Sequence, residues 1–335
     1  MGPKVSIVIP CYNAEKTIAR TLDSLMIQTC QDFCVLAVND GSEDNTKEII
    51  EKYSRQHPKM DIRLTNIKNS GVSKARNVAL DQCETEYVAF LDADDLYHPI
   101  FLKTYIDQME NNFADICIGR YCWNEFEKLN EIKSVQSITS EQLLDMYFHK
   151  RINKLGFWGG IYRRNIIKEN GLQFTENIKY GEDSEFFCKY LYHCKKAVFV
   201  DAKLYCYINE STSAMHRISY DKTQNIKAFE RIIKYWGNKM PKGSEYIVAR
   251  AVWSCLKDFA IDSKEYYRQL QEEYDVKNAM KLLIRTEMER EKTVKYTAMI
   301  YLANPMIFRI AVGSIGKLMW TVETILETLV RKKFP

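Results

Sequence analysis

The segment Tyr87-Val88-Ala89-Phe90-Leu91-Asp92-Ala93-Asp94-Asp95 constrains this chain more than any other. Tyr87 to Leu91 combine aromatic and β-branched side chains, the composition of a short buried strand. The strand stops abruptly in three carboxylates. Open α/β sheets bind their ligands at the carboxyl ends of the strands, which is where these acids fall. Acids packed this closely repel one another unless positive charge sits among them. Hard oxygen donors suit Mg²⁺ or Mn²⁺. An isolated Asp-x-Asp is more often a solvated turn that caps the next helix. The strand before it, and the rest of the chain, favour a site.

The residues ahead of this segment alternate strand and helix. Val5 to Ile9 is an apolar run suited to a strand covered on both faces, with Pro10 ending it. Asn13 stands as an N-cap with Glu15 in the first helical turn. Ile18, Leu22, Leu25 and Met26 then mark one helix face. Cys34 to Val38 is the second strand, ending in Asn39-Asp40-Gly41-Ser42, and a helix runs from about Asp44 to Tyr53. Ile62 to Leu64 is a weak third strand. Gly71 to Leu80 opens a third helix with Ser73 as its cap, and the fourth strand carries Asp92. This alternation predicts an α/β fold with a mostly parallel central sheet. No GxGxxG follows the first strand and no GxxxxGKS occurs, so a dinucleotide site or a P-loop is unsupported.

Further on, Phe101 to Met109 reads as helix, Ile116 to Ile118 as strand, and Glu125 to Lys133 as a charged connection. A helix begins at Ser140, and the aromatic, glycine-rich Gly156 to Gly160 follows. Gly181-Glu182-Asp183 opens another helix, and Ala197 to Val200 is a strand. After about Ser219 long helical patterns take over. Residues 292–335 hold seven Lys or Arg against two Glu, a local excess of +5. Phe308, Ile315, Met319, Val322, Leu326 and Leu329 form an apolar stripe there, as on a helix lying at an anionic membrane surface or in an oligomer contact. The formal charge of +4 is too small to argue for nucleic acid. The ten cysteines show no CxxC pair and no zinc-ligand spacing, as in a reducing cytoplasm. No secretory leader and no apolar run of membrane-spanning length is visible.

In order, Val5 to Asn13, Val38 to Ser42, Asn69 to Asn77, Leu91 to Asp95 and Gly181 to Asp183 resemble the motifs of an inverting family-2 glycosyltransferase of the GT-A fold. The resemblance covers residues 4 to about 215. It implies a Rossmann-like GT-A domain over 1–215, flanked by helices, with an added helical region over 216–335. It also implies transfer of a sugar from a nucleotide donor, most simply a UDP-sugar, to a hydroxyl of a glycan or lipid-linked acceptor. Relatives of this size build cell-surface polysaccharides at the inner membrane face. The resemblance assigns Pro10, Tyr12, Glu15, Asp40, Asn69, Arg76, Asp92 and Ala93 to the nucleotide-sugar side. Tyr12 would lie against the uracil, and Asp40 would grip base or ribose. Asp94 and Asp92 would hold Mn²⁺ or Mg²⁺, with Asp95 capping or orienting the loop. Asp183 would be the general base, with Glu182 beside it. Trp158 reads equally as a ring stacking on the acceptor sugar and as a buried tryptophan.

One departure stands out. Where many relatives carry an Arg, this chain has Ile208 or its neighbour; His216 and Arg217 are the candidates to replace the diphosphate contact, and both read first as surface-loop residues. Two other classes share parts of the pattern. A nucleotidyltransferase should carry a glycine- and lysine-rich loop after its first strand, and none is seen. A non-catalytic carbohydrate-binding or scaffold protein would not need Asp94 and Asp183 together.

Overall fold

The computed structural model describes residues 2–126, 131–148, 155–208, 219–241, 244, 246–285, 292–309 and 312. Nine strands form one sheet among them: β1 (Val5–Cys11), β2 (Phe33–Asp40), β3 (Asp61–Ile67), β4 (Tyr87–Phe90), β5 (Leu96–Tyr97), β6 (Ile116–Trp123), β7 (Val135–Ile138), β8 (Gly160–Arg163) and β9 (Ala197–Tyr207). Their order is β3-β2-β1-β4-β8-β6-β9-β5, with β7 also paired to β9. β1 to β4 pair in parallel, β8 runs antiparallel between β4 and β6, and β6 and β9 are parallel again. The chain moves outward from β1 through β2 to β3, then returns to place β4 on the other side of β1. The crevice at the carboxyl ends of β1 and β4 is therefore the topological switch point, where such sheets bind ligands.

Helices α1 (Ile18–Met26), α2 (Thr46–Gln56) and α3 (Val72–Asp81) connect the first four strands. α4 (Phe101–Asn112), α5 (Ser140–Phe148), α6 (Arg164–Glu169) and α7 (Glu182–His193) follow. α1 buries Ile18, Leu22 and Leu25 against the sheet, whereas Met26 is left 38% exposed. Residues of β1 and β2 are buried on both faces, as their unbroken apolar runs require.

Local readings are corrected at three places. Pro10 lies inside β1, opposite Val38, instead of ending it. Pairing with β4 stops at Val8, so Pro10 sits where β1 has no second neighbour and a missing N–H is tolerated. Asn13 is not a helix cap: α1 starts after Thr17, and Asn13 takes a left-handed φ of 48°. Ser73 lies within α3 and is buried; Gly71 holds the cap position.

The chain divides into two compact units. The first is Met1–Ala214 with Lys234–Met240; the second is Met215–Ile233 with Pro241–Pro335. The second contains most of α8 (Gln224–Trp236), then α9 (Tyr246–Asp262), α10 (Lys264–Glu273), α11 (Val276–Arg285) and α12 (Lys292–Ala303). Tyr220 stacks on Phe259 and donates to Glu273 Oε2 at 2.6 Å inside it. No described helix is long and apolar enough to cross a membrane. Of the C-terminal stripe, Phe308 is fully buried, edge-on to Tyr301 at 5.4 Å, while Met306 and Ile307 are exposed. The stripe's other members lie outside the described residues.

Candidate active site

The site is built on an aromatic floor. Phe90 ends β4 and meets the rings of Phe157, Phe174 and Phe186 at centroid distances of 5.4–5.6 Å. Phe186 stacks on Phe174 at 4.1 Å, which seats the first turn of α7. Arg76, on α3, rests on this floor with its guanidinium carbon 4.9 Å from the Phe157 ring centre and 5.2 Å from that of Phe174.

Arg76 is 4% exposed, so it is no solvated helix charge. Its Nη2 donates to Asp92 Oδ1 at 2.8 Å and its Nη1 to Glu182 Oε1 at 3.4 Å. One guanidinium thus joins the acidic loop after β4 to the acidic start of α7, which lies 90 residues further along the chain. Its planar fork is what lets it hold two carboxylates at once. Burial opposes its charge, but Asp92, Glu182 and Asp183 together outweigh this and hold its pKa above the ordinary value. Glu182 responds in the other direction. Burial first, then the charge of Asp183, push its carboxyl up to about 7 against the pull of Arg76. Gly181, at φ 90°, supplies the left-handed residue that turns the chain into α7. Asp183 is half-buried, and its Oδ1 accepts the Ser184 amide at 2.6 Å.

The acidic loop is held from several sides. Ala93 O accepts from Thr21 Oγ1 at 3.0 Å and Asp94 O from Arg20 Nη2 at 3.1 Å, both donors on α1. Asp95 points inward. Its Oδ2 accepts from Tyr205 Oη at 2.6 Å and its Oδ1 from the Ile208 amide at 2.8 Å, tying the loop to the end of β9. Burial, then the charges of Asp92 and Asp94, push Asp95 up to about 9. Its role here is to anchor the loop. Asp92 and Asp94 are half-buried. They offer hard carboxylate oxygens from one loop, the donor set that Mg²⁺ or Mn²⁺ prefers. No group of three or more metal-ligating side chains gathers among the described residues.

The neighbouring strand ends form the second part. Asp40, at the end of β2, accepts the Ser70 amide at 2.7 Å and the Gly71 amide at 2.8 Å, one on each carboxylate oxygen. Gly41, at φ 68°, lets the chain pass Asn69 closely; a Cβ there would lie 2.6 Å from the Asn69 amide nitrogen. Glu15 accepts from Asn45 Nδ2 at 2.9 Å, and its own amide donates to Asp44 Oδ2 at 3.0 Å. Asn13 exchanges bonds with Ser42 and Glu43, and Ala14 donates to Thr46 Oγ1. The loops after β1 and β2 are thereby laced together. Tyr12 stands 50% exposed at the end of β1, and Pro10 lies just below it. β1 and β4 pair side by side, so both parts lie at neighbouring strand ends; burial, then the Asp92 charge, raises the thiol pKa of Cys11 in β1.

The acidic loop, Arg76, Glu182, Asp183 and Trp158 therefore gather around β4, with Pro10, Tyr12, Glu15, Asp40 and Asn69 around β1 and β2. Trp158 is half-buried, stacked on Tyr205 at 4.0 Å, so part of its ring surface is already covered. Three supporting residues carried no readable role in the sequence. Asn77 clamps the Phe174 backbone from both sides and reaches Glu176, holding one of the rings under Arg76. Tyr205 and Thr21 brace the acidic loop. Their signal is purely tertiary. Ile208 donates its backbone amide to Asp95, and His216 and Arg217 lie outside the described residues.

Residues 6–171 match the sequence signature of Glycosyl transferase family 2. The chain carries a glycosyl transferase family 2 domain. A glycosyltransferase of Escherichia coli named YibD, uncharacterised, is 30% identical over 224 residues, 64% of each chain. The Staphylococcus aureus protein TarS, named a poly(ribitol-phosphate) beta-N-acetylglucosaminyltransferase, is 28% identical over 235 residues, 69% of this chain and 40% of TarS. The match spans less than two thirds of either relative. A crystal structure of TarS residues 1–349 with UDP-GlcNAc superposes with a TM-score of 0.66 at 22% identity, covering 94% of this chain and 92% of that one. A Pyrobaculum calidifontis mannosyltransferase in complex with GDP-Man and Mn²⁺ superposes with a TM-score of 0.52 at 16% identity over 91% and 88%. The fold of the family 2 domain is GT-A, with helices added at its C-terminal side.

Proposed function

We propose that this chain is a metal-dependent, inverting glycosyltransferase that moves a sugar from a UDP-sugar to a hydroxyl of a glycan or lipid-linked acceptor during cell-surface polysaccharide synthesis. The observation that carries the reading is Arg76, which binds Asp92 on one side and Glu182 on the other. The bridge holds the two acidic motifs side by side at the carboxyl end of β4, where sheets of this kind bind their ligands. The names of the relatives support the activity, and the UDP-GlcNAc held by TarS supports a UDP-sugar donor.

In this reading Asp92 and Asp94 would hold a divalent cation, which would supply the positive charge that offsets the donor's diphosphate. Tyr12, Asp40 and Asn69 flank the nucleotide. Glu182 is turned to Arg76, which leaves Asp183 to face the acceptor and take its hydroxyl proton. The freed oxygen attacks the anomeric carbon opposite the departing UDP, so an α-linked donor yields a β-linked product.

UDP release from a panel of nucleotide sugars, followed with Mn²⁺, Mg²⁺ or EDTA, tests this. Release should need the metal and should fall steeply in Asp94→Asn. Equal release in EDTA and in Asp94→Asn would remove the metal from the mechanism, and pyrophosphate as product would mark a nucleotidyltransferase.

A further inference from the structure

Beside the acidic loop, four partly exposed aromatic rings close into a ring of their own. β6 and β9 run parallel with Tyr121 opposite Tyr205 and Trp123 opposite Tyr207, which brings these side chains together at the strand ends. Trp158 meets Tyr121 at 5.0 Å, Tyr121 meets Trp123 at 5.6 Å, Trp123 meets Tyr207 at 4.8 Å, and Tyr207 returns to Trp158 at 6.0 Å. Trp123 is 41% exposed at the outer end; Tyr121, Tyr207 and Trp158 are half-buried. Tyr121, Tyr207 and Trp158 pack partly on the core, so Trp123 is the ring that folding alone does not call for. A strand-end Trp gains its burial energy by turning inward, and a contiguous exposed apolar patch usually marks a binding surface.

From these rings we infer an extended acceptor subsite that binds a second sugar residue of a glycan chain. The inference rests on the transferase reading above. The patch adjoins the acidic loop: Trp158 stacks on the buried Tyr205, whose hydroxyl bonds Asp95, and Phe157 beside Trp158 carries Arg76 on its ring. Rings of Tyr and Trp pair an apolar face with a polar edge. A pyranose matches that, because its C–H groups cover one face and its hydroxyls ring the rim. A pyranose uses both the ring faces and the phenol and indole edges, and a lipid surface is the alternative that the vesicle arm of the test addresses. Trp158 lies at the near end of the patch and Trp123 at the far end, so the acceptor is a glycan of at least two residues whose reactive end points towards Asp183.

The test is titration of the Asp183→Asn protein, followed by tryptophan fluorescence, with cellobiose, N,N′-diacetylchitobiose, maltose and lactose beside glucose, N-acetylglucosamine and galactose. At least one disaccharide should bind about tenfold more tightly than its monosaccharide. Trp123→Ala should erase that advantage and Trp123→Tyr should restore most of it, with the melting temperature showing that both variants are folded. Truncation of a central aromatic contact commonly costs this much. No gain from the second sugar in any pair, or an unchanged gain in Trp123→Ala, overturns the inference. So does binding of phosphatidylcholine vesicles that Trp123→Ala abolishes while the disaccharides do not bind. Because the titration needs no turnover, it separates two failures. Normal UDP release without a disaccharide gain sinks this inference alone; a disaccharide gain without UDP release sinks the transfer reading.

Discussion

Replacing Arg76 with Met tests the joint between the two acidic motifs. The change keeps an apolar stem against Phe157 and Phe174 but removes the charge between Asp92 and Glu182. Breaking a buried ion pair by removing one partner costs about 3–5 kcal/mol, because the other charge stays behind uncompensated. Glu182 limits the loss, since a carboxyl already raised to about 7 picks up a proton with little further cost. The lower end, ~3 kcal/mol, is therefore the expectation. At about 2–4 °C per kcal/mol for a domain of this size, the melting midpoint should fall on the order of 10 °C. The second variant is Arg76→Met combined with Glu182→Gln. Removing the carboxylate that was left unpaired should return about 1–2 kcal/mol, so the double mutant should be more stable than additivity predicts. Urea unfolding of the four proteins at pH 8 supplies the cycle. A native midpoint in Arg76→Met, or strict additivity in the cycle, would refute the view that Arg76 is a buried strut.

Other outcomes follow from the same geometry. Glu182 holds its proton in the folded state up to about 7, whereas an unfolded carboxyl releases it near 4.5. Its contribution is thus present below pH 4.5 and lost as pH rises through about 7. Glu182→Gln should flatten that decline, and parallel curves for the two proteins would count against the raised value. Asp183→Asn should slow single-turnover transfer ~10²–10⁴-fold while donor affinity changes little; a dead Glu182→Gln beside a native Asp183→Asn would move the base by one residue. The exposed Met306 and Ile307 and the basic C-terminal sequence favour contact with an anionic membrane surface. Full-length protein should float with phosphatidylglycerol vesicles and a chain shortened after Met288 should not; equal flotation would end the idea.

The first half of the fold was readable because β1, β2 and β4 are buried runs separated by helices with a clear apolar face, while the edge strand β3, with no buried residue, showed only weakly. β5, β7 and β8 were not readable. They are two to four residues long, too short to show a period, and exist through partners such as Tyr162 opposite Ile116. The site divides in the same way. Acids at a strand end announce themselves, whereas nothing local says that Arg76 is buried, since a helix face looks alike towards water and towards two carboxylates. Asn13 read as a cap because Asn favours that position. It bonds a neighbouring loop instead, a choice made by β2 and invisible from residues 11–18.

The lacing between the loops after β1 and β2 bears on how donor preference can be changed. Asn13, Ala14 and Glu15 are bonded to Ser42, Glu43, Asp44, Asn45 and Thr46, so neither loop has a shape of its own. Together they form one lip of the crevice at the carboxyl ends of β1 and β2, the side on which the proposed donor would lie. The unit of inheritance, or of engineering, is this pair: a relative's first loop grafted alone would arrive without the partners that give it form.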